Sequence, residues 1–177
     1  MNVIKKYNED ESTALREEII NQTVMPYLNT IFKAYPGFQS ATLLVAQYWD
    51  DEANDAVHQD VILSRLETPD LNSAFKAYAE DEKDSINSSD DLPCSVTDWD
   101  FDGGIVDTTL WRWCDNGSAI PAFAAYCKEA AGQEDDLGEA YLPYAVFRKT
   151  ETGIEIEIIG EKIRPWLDGV MPEREAD

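Results

Sequence analysis

Positively charged side chains are scarce in this sequence. The 177 residues include 14 lysines and arginines against 36 aspartates and glutamates, so the formal net charge is −22 at pH 7. Proteins that bind nucleic acid neutralise phosphates with lysine and arginine, and a surface this acidic would repel the phosphate backbone. The composition therefore excludes recognition of nucleic acid through a broad basic face.

Cysteine, histidine and long apolar runs are also scarce. There are three cysteines, Cys94, Cys114 and Cys127, and one histidine, His58. An odd number of cysteines with no Cys-x-x-Cys pair argues against a disulfide framework and against a zinc ribbon. No apolar run is long enough to cross a bilayer, and none follows Lys6 as it would in a secretory signal. We therefore expect a cytoplasmic protein with reduced thiols and no membrane partner.

The chain is nevertheless apolar enough to fold. Hydrophobic residues make up 44% of the sequence and aromatic residues 11%, a composition that excludes a disordered or collagen-like chain. A length of 177 residues is typical of one domain. We expect a single globular domain over residues 1–171 and a frayed tail over 172–177, because that end lacks apolar anchors.

Strand patterns occur in pairs, which predicts an antiparallel sheet. Hairpins are expected at about residues 40–66, 95–114 and 144–159. Isoleucine and glutamate alternate from Gly153 to Ile158, the pattern of a strand with one face on the core and one in water. Ile163, Trp166 and Leu167 are expected to clamp the end of the sheet.

Helical segments are expected to pack on this sheet. Apolar residues between Leu15 and Tyr35 recur at steps of three to five, typical of one helical face, and Pro26 predicts a kink or a junction of two helices. A central helix is expected to begin at Ser118 and to end at Gly132. Hairpins with helices before and between them favour an α+β fold over a parallel, doubly wound one. The common nucleotide-binding and hydrolase signatures are missing.

A run of alternating aspartates is the most suggestive motif. Asp98, Asp100 and Asp102 precede Gly103 at the spacing of the first half of a calcium loop, and such carboxylates can converge on Ca²⁺ or Mg²⁺. Thr109, however, stands where the bidentate glutamate of that loop belongs. An ordinary hairpin turn explains the same alternation, and we favour it. Metal binding is kept as an alternative hypothesis, and no other cofactor is expected.

Aromatic residues concentrate in the most acidic part of the chain. Residues 80–115 contain 11 acidic and 2 basic side chains. Aromatic side chains in this stretch can build the core, or they can anchor a protein interface that has a polar rim. The candidate partner-binding residues are Trp99, Asp100, Phe101, Trp111 and Trp113.

Other polar groups support no catalytic prediction. His58, Asp60 and Ser64 would share one strand face, which matches a hydrolytic triad in composition, but neighbours at i and i+2 lie about 6.5–7 Å apart. The three cysteines and His58 include no chelating pair for zinc. Glu155 and Glu157 form a carboxylate pair, and such pairs arise by chance among 36 acids.

The function expected from these observations is binding, not catalysis. A strong negative field attracts cationic partners and accelerates their association. We expect a small acidic binding protein, of the immunity or inhibitor type, that masks a basic partner such as a toxin or a nuclease. The alternatives are an enzyme or divalent-cation-binding protein that uses scattered carboxylates, and an acidic bacterial housekeeping protein without a charged partner.

Overall fold

The structure combines helices with one antiparallel sheet. It is a computed structural model that describes residues 7–49, 55–69, 94–95, 113–114, 119–128 and 141–163. These segments contain an N-terminal helical region, a short central helix and six strands. The expected α+β class is thereby confirmed. Within the segments described, no helix has the length and apolar character needed to cross a membrane.

The N-terminal helical region is continuous. Helix α1 spans Glu9–Ile19, a π-helical turn spans Ile20–Val24, and helix α2 spans Met25–Ala34. Helix α1 begins at a capping box, in which the Asn8 side chain accepts the Glu11 N–H and the Glu11 carboxylate accepts the Asn8 N–H. The capping box satisfies two donors that have no partner inside the helix.

Pro26 accounts for the π-helical turn. Proline has no N–H to donate to the carbonyl four residues earlier, here that of Gln22. The Met25 N–H, directly before it, donates to Ile20 O, five residues back. This wider turn carries the chain past the proline, and residues on both sides, such as Ile19 and Leu28, remain buried. The junction predicted at Pro26 is therefore present, without a break in the helical path.

All pairings in the sheet are antiparallel among the strands that the structure describes. The strands are β1 Ser40–Trp49, β2 Asp55–Ser64, β3 Cys94–Ser95, β4 Trp113–Cys114, β5 Leu142–Thr150 and β6 Gly153–Ile158. Their order is β3-β2-β1-β5-β6, and β4 also pairs with β2. The hairpins predicted at 40–66 and 144–159 are confirmed as β1–β2 and β5–β6.

The two described ends of the predicted 95–114 hairpin pair with β2 and not with each other. Ser95 lies opposite Ile62, and Trp113 lies opposite Gln59. Because β3 and β4 are both antiparallel to β2, they run in the same direction along its outer edge. A strand pattern indicates an extended backbone, but tertiary contacts choose its partner. Residues 96–112 lie outside the described segments.

The central helix is shorter than the sequence predicts. Helix α3 spans Ile120–Phe123 and tightens into a 3-10 turn over Ala124–Tyr126. Cys127 then adopts an extended backbone, and its side chain is buried. The end expected at Gly132 lies outside the described segments.

Both faces of the central strands are buried. On one face, odd-numbered residues of β1 and β2, such as Leu43 and Val61, pack with the helices, including Leu28 and Phe123. On the other face the even-numbered residues are also buried, although they lie outside that core cluster. They include Thr42, Leu44, Ala46, Asp60 and Ile62.

Candidate functional site

Most residues of the predicted metal and partner sites lie outside the described segments. They are Asp98, Trp99, Asp100, Phe101, Asp102 and Trp111. The backbone of Trp113 belongs to β4, directly opposite Gln59 of β2. Both hypotheses therefore stay predictions. Within the part of the chain that the structure describes, no three His, Cys, Asp or Glu side chains are grouped to hold a metal ion.

The three residues that match a hydrolytic triad in composition are spread along β2. His58 and Ser64 are six residues apart on this strand, a distance of about 20 Å. Ser64 is buried, and its hydroxyl oxygen accepts a hydrogen bond from the Leu66 N–H at 3.0 Å. This hydroxyl holds the turn after β2 and is not an exposed nucleophile.

The four residues considered for zinc are only partly brought together. Cys114 lies directly opposite His58 in the pairing of β4 with β2. Cys94 lies opposite Leu63, further along the same strand. Cys127 belongs to the core cluster on the helix-covered face, whereas His58 alternates with that face. The backbone therefore makes neighbours of one cysteine and the histidine only.

Asp60 is a buried carboxylate at a gap between two short strands. β4 pairs with β2 at residues 58–59 and β3 pairs with it at 62–63. Between these pairings the Asp60 side chain, 2% exposed, accepts the Val61 N–H at 2.8 Å. The carboxylate thus takes the role that a neighbouring strand's carbonyl has in an unbroken ladder.

Two polar residues, Tyr27 and Gln59, lie on the helix-covered side of the sheet near Asp60. Burial, followed by the negative charge of Asp60, raises the pKa of the Tyr27 phenol above its ordinary value. Gln59 is 3% exposed and alternates with Val57 and Val61, which belong to the core. Among the described residues, nothing forms a hydrogen bond with its amide nitrogen or oxygen. Burying an amide in this way destabilises the fold.

Strand β6 is the described edge of the sheet beyond β5, and it is exposed on both faces. Ile156 pairs with Phe147 and Ile158 with Ala145, so these isoleucines continue the helix-covered face. They are nevertheless 38% and 52% exposed. The alternation correctly predicted the strand, but the expected core contact is limited to Ile154, which is partly buried against the core. The described helices therefore leave the rest of β6 exposed.

The clamp expected at the end of the sheet is not formed by Ile163. Its side chain is 48% exposed, although its N–H donates to Ala125 O at 2.9 Å. The backbone contact fixes the chain here without burying the side chain. Trp166 and Leu167 lie outside the described segments.

The opposite face of β6 carries two exposed glutamates. Glu157 forms an ion pair with Arg148 of β5 at 2.5 Å. Glu155 lies directly opposite Arg148 in the register, but within the described segments it has no ion-pair partner. The carboxylate pair noted in the sequence is therefore a solvent-facing acidic strip at the sheet edge.

The acidic character extends over the rest of the described surface. Every carboxylate whose side chain the structure describes is exposed, apart from Asp60. Arg16, in contrast, is buried between α1 and α3, where it donates to Ala122 O at 2.8 Å. Arg16 is the one buried cation and Asp60 the one buried carboxylate among the described side chains, so their burial leaves the net charge of the described surface unchanged.

Sequence reasoning missed the buried polar groups and the exposed edge for different reasons. Gln59 and Asp60 are polar residues in an otherwise apolar strand, and their own side chains give no indication of burial. The edge position of β6 did have a signal, because charged side chains are a common feature of edge strands. No protein-family model, curated protein or solved structure significantly matches this chain.

Proposed function

We propose that this chain binds a basic protein partner and masks it, as an immunity or inhibitor protein masks a toxin or a nuclease. We place it in the bacterial cytoplasm, where an effector of this kind would be neutralised. The observation that carries the proposal is the outward placement of the described carboxylates on a chain of net charge −22. Asp60 is the sole described exception.

The charge supports association in a way that can be measured. A negative field attracts a cationic protein and raises the association rate, whereas close contacts mainly set the dissociation rate. At physiological ionic strength the field decays over about 8 Å, so added salt weakens the attraction. A partner held by this mechanism therefore associates more slowly as salt rises, with a smaller change in dissociation.

Affinity capture from the organism that encodes the chain tests the proposal. The full chain is immobilised, captured proteins are identified, and each is purified for kinetic measurement over a salt series. We expect a partner with an excess of lysine and arginine, whose association rate falls as salt rises. An association rate that does not respond to salt, or the absence of any basic partner, would contradict the proposal.

Charge-neutralising variants test whether the most acidic stretch contributes to the attraction. Replacing the acids of residues 80–115 with their amides removes the most acidic stretch, which also contains Trp99 and Trp111. A control neutralises three exposed carboxylates elsewhere, Glu17, Glu18 and Glu67, and the two variants are compared by the loss per charge removed. We expect a larger loss of association rate from the first variant than from the control.

A further inference from the structure

The outer backbone edge of β6 has no neighbouring strand among the described residues. Thr150 pairs with Gly153 across a two-residue turn, and the Ile159 N–H donates to Tyr144 O at 2.9 Å. Because bonding alternates along an antiparallel pair, Gly153, Glu155 and Glu157 bond to β5, while the N–H and C=O groups of the three isoleucines between and after them point outward. Within the described segments, β6 pairs only with β5.

The two faces of β6 differ in chemistry. Ile156 and Ile158 form an exposed apolar strip beside the core face. Glu155 and Glu157 form the acidic strip on the other face. A strand lying next to β6 would therefore place every second side chain beside isoleucine and the remaining ones beside glutamate.

A second copy of this chain is a poor occupant of the edge. Two β6 strands paired antiparallel about Ile156 place Glu155 of one copy opposite Glu157 of the other. Like charges directly opposite each other destabilise a sheet. Arg148 already contacts Glu157, and Glu155 has no compensating cation among the described residues.

On this basis, and resting on the function proposed above, we infer that β6 is the docking strand for the basic partner. The partner contributes an extended segment in which lysine or arginine alternates with apolar residues. Its backbone bonds to Ile154, Ile156 and Ile158, its cations lie beside Glu155 and Glu157, and its apolar residues lie on Ile156 and Ile158. This is recognition by strand addition, in which the main chain supplies affinity and alternate side chains supply specificity.

Short synthetic peptides test the inference directly. The probe alternates lysine and valine. One control has the same composition with lysines and valines in separate blocks, and a second alternates glutamate and valine. We expect fluorescence anisotropy to show binding of the alternating lysine peptide only. Hydrogen exchange should slow at the amides of Ile154, Ile156 and Ile158, and should change little at Glu155 and Glu157, which already bond to β5.

Ile156→Pro is the most discriminating variant. It removes an outward-pointing donor and leaves the β5–β6 hydrogen bonds in place, because the 156 N–H does not face β5. We expect affinity for the alternating lysine peptide to fall roughly tenfold or more, and Ile156→Val, which keeps the donor, to bind normally. If Ile156→Pro does not fold, a peptide N-methylated on the edge-facing amides makes the same test on native protein.

The charge contribution has its own matched pair of variants. Glu155→Gln is expected to weaken peptide binding about two- to fivefold. Glu151→Gln removes the same charge from the exposed turn before β6 and is expected to leave affinity nearly unchanged. Equal effects of the two variants would show that total charge, and not the acidic strip, controls binding.

Three results overturn the inference. They are equal binding of the block peptide, unchanged affinity in both Ile156→Pro and the N-methylated peptide, and self-association through β6 that Ile156→Pro abolishes. The proposed function fails separately. If Ile156→Pro captures a basic partner as well as the native chain does, docking at β6 is wrong and the function stands. If the peptide binds β6 but the organism supplies no basic partner, the function is wrong.

Discussion

The hairpins β1–β2 and β5–β6 differ in how deeply their strands are buried. The β1–β2 hairpin is buried on both faces, including at Leu43 and Leu44. The outer strand of β5–β6 is exposed on both faces, although its alternation of isoleucine and glutamate is the more regular pattern. Alternation therefore indicates that a strand has two chemically different faces, but a covering layer decides whether either face is buried.

The largest expected difference between the two hairpins is in the stability lost when one leucine and one isoleucine are truncated to alanine. Leu44→Ala removes buried methyl groups on the face of β1 away from the helices, and we expect a loss of about 2–5 kcal/mol in unfolding free energy. Ile158→Ala removes a half-exposed side chain, and its cost should stay below about 1 kcal/mol. Urea denaturation measures both. Equal losses would mean that the two hairpins are buried alike.

In contrast to β6, its neighbour β5 is attached to the helices through Arg16 and Tyr126. Arg16 donates to Ala122 O at 2.8 Å, and its guanidinium lies 4.9 Å from the centre of the Tyr126 ring. Tyr126 in turn meets Tyr144 of β5 edge to face at 5.0 Å. We expect Arg16→Ala to lower the unfolding free energy by about 2–3 kcal/mol in thermal or urea unfolding, because the buried Ala122 carbonyl loses this donor and the cation–π contact is lost with it.

Arg16→Lys is the matched control for that variant. Lysine keeps the charge but not the planar fork that reaches Ala122 O and the Thr13 hydroxyl together. An intermediate loss is expected. If Arg16→Lys were as stable as the native chain, the charge alone would account for the attachment.

Gln59 is a polar residue inside the buried β1–β2 hairpin, and its replacement tests what the buried amide costs in stability. Its amide lies in the core without a hydrogen-bond partner among the described residues, so Gln59→Met should raise the unfolding free energy by about 1 kcal/mol. Gln22→Met, on the exposed surface of the helical region, should change it by less than about 0.5 kcal/mol. A loss of stability in Gln59→Met would show that the amide forms hydrogen bonds in solution.

A further effect appears only in alkaline solution. Burial and the charge of Asp60 raise the pKa of Tyr27 above its ordinary value of 10.0. Above pH 10 the unfolded chain therefore loses the Tyr27 proton while the folded chain keeps it, and stability falls by at most about 1.4 kcal/mol per pH unit from this group. Tyr27→Phe should flatten that slope in urea unfolding between pH 9 and pH 11.

Tyr144 supplies the comparison within the same experiment. Burial also raises its pKa, with Arg16 acting in the opposite direction. Some alkaline slope should therefore remain in Tyr27→Phe and disappear when Tyr144→Phe is added. An unchanged slope in the double variant would contradict the assignment to these two phenols.

Much of the fold was predictable because its signals are local. The helical face from Leu15 to Tyr35, the junction at Pro26 and the two confirmed hairpins each follow from a short window of residues. The partners of β3 and β4 did not follow, because strand choice depends on distant parts of the chain. The candidate site was predictable only in its parts: Glu155 and Glu157 were visible as a pair, but not their place on an open edge.

The sequence by itself determined the charge excess, the α+β class and the alternation of faces on β6, since these depend on composition and on neighbours along the chain. Only the tertiary structure decided that Asp60 and Gln59 are buried while Ile156 and Ile158 are exposed. The physical reason is that burial depends on which layer lies over a strand. Among the described residues, the helices pack on β1 and β2, whereas most of β6 is exposed.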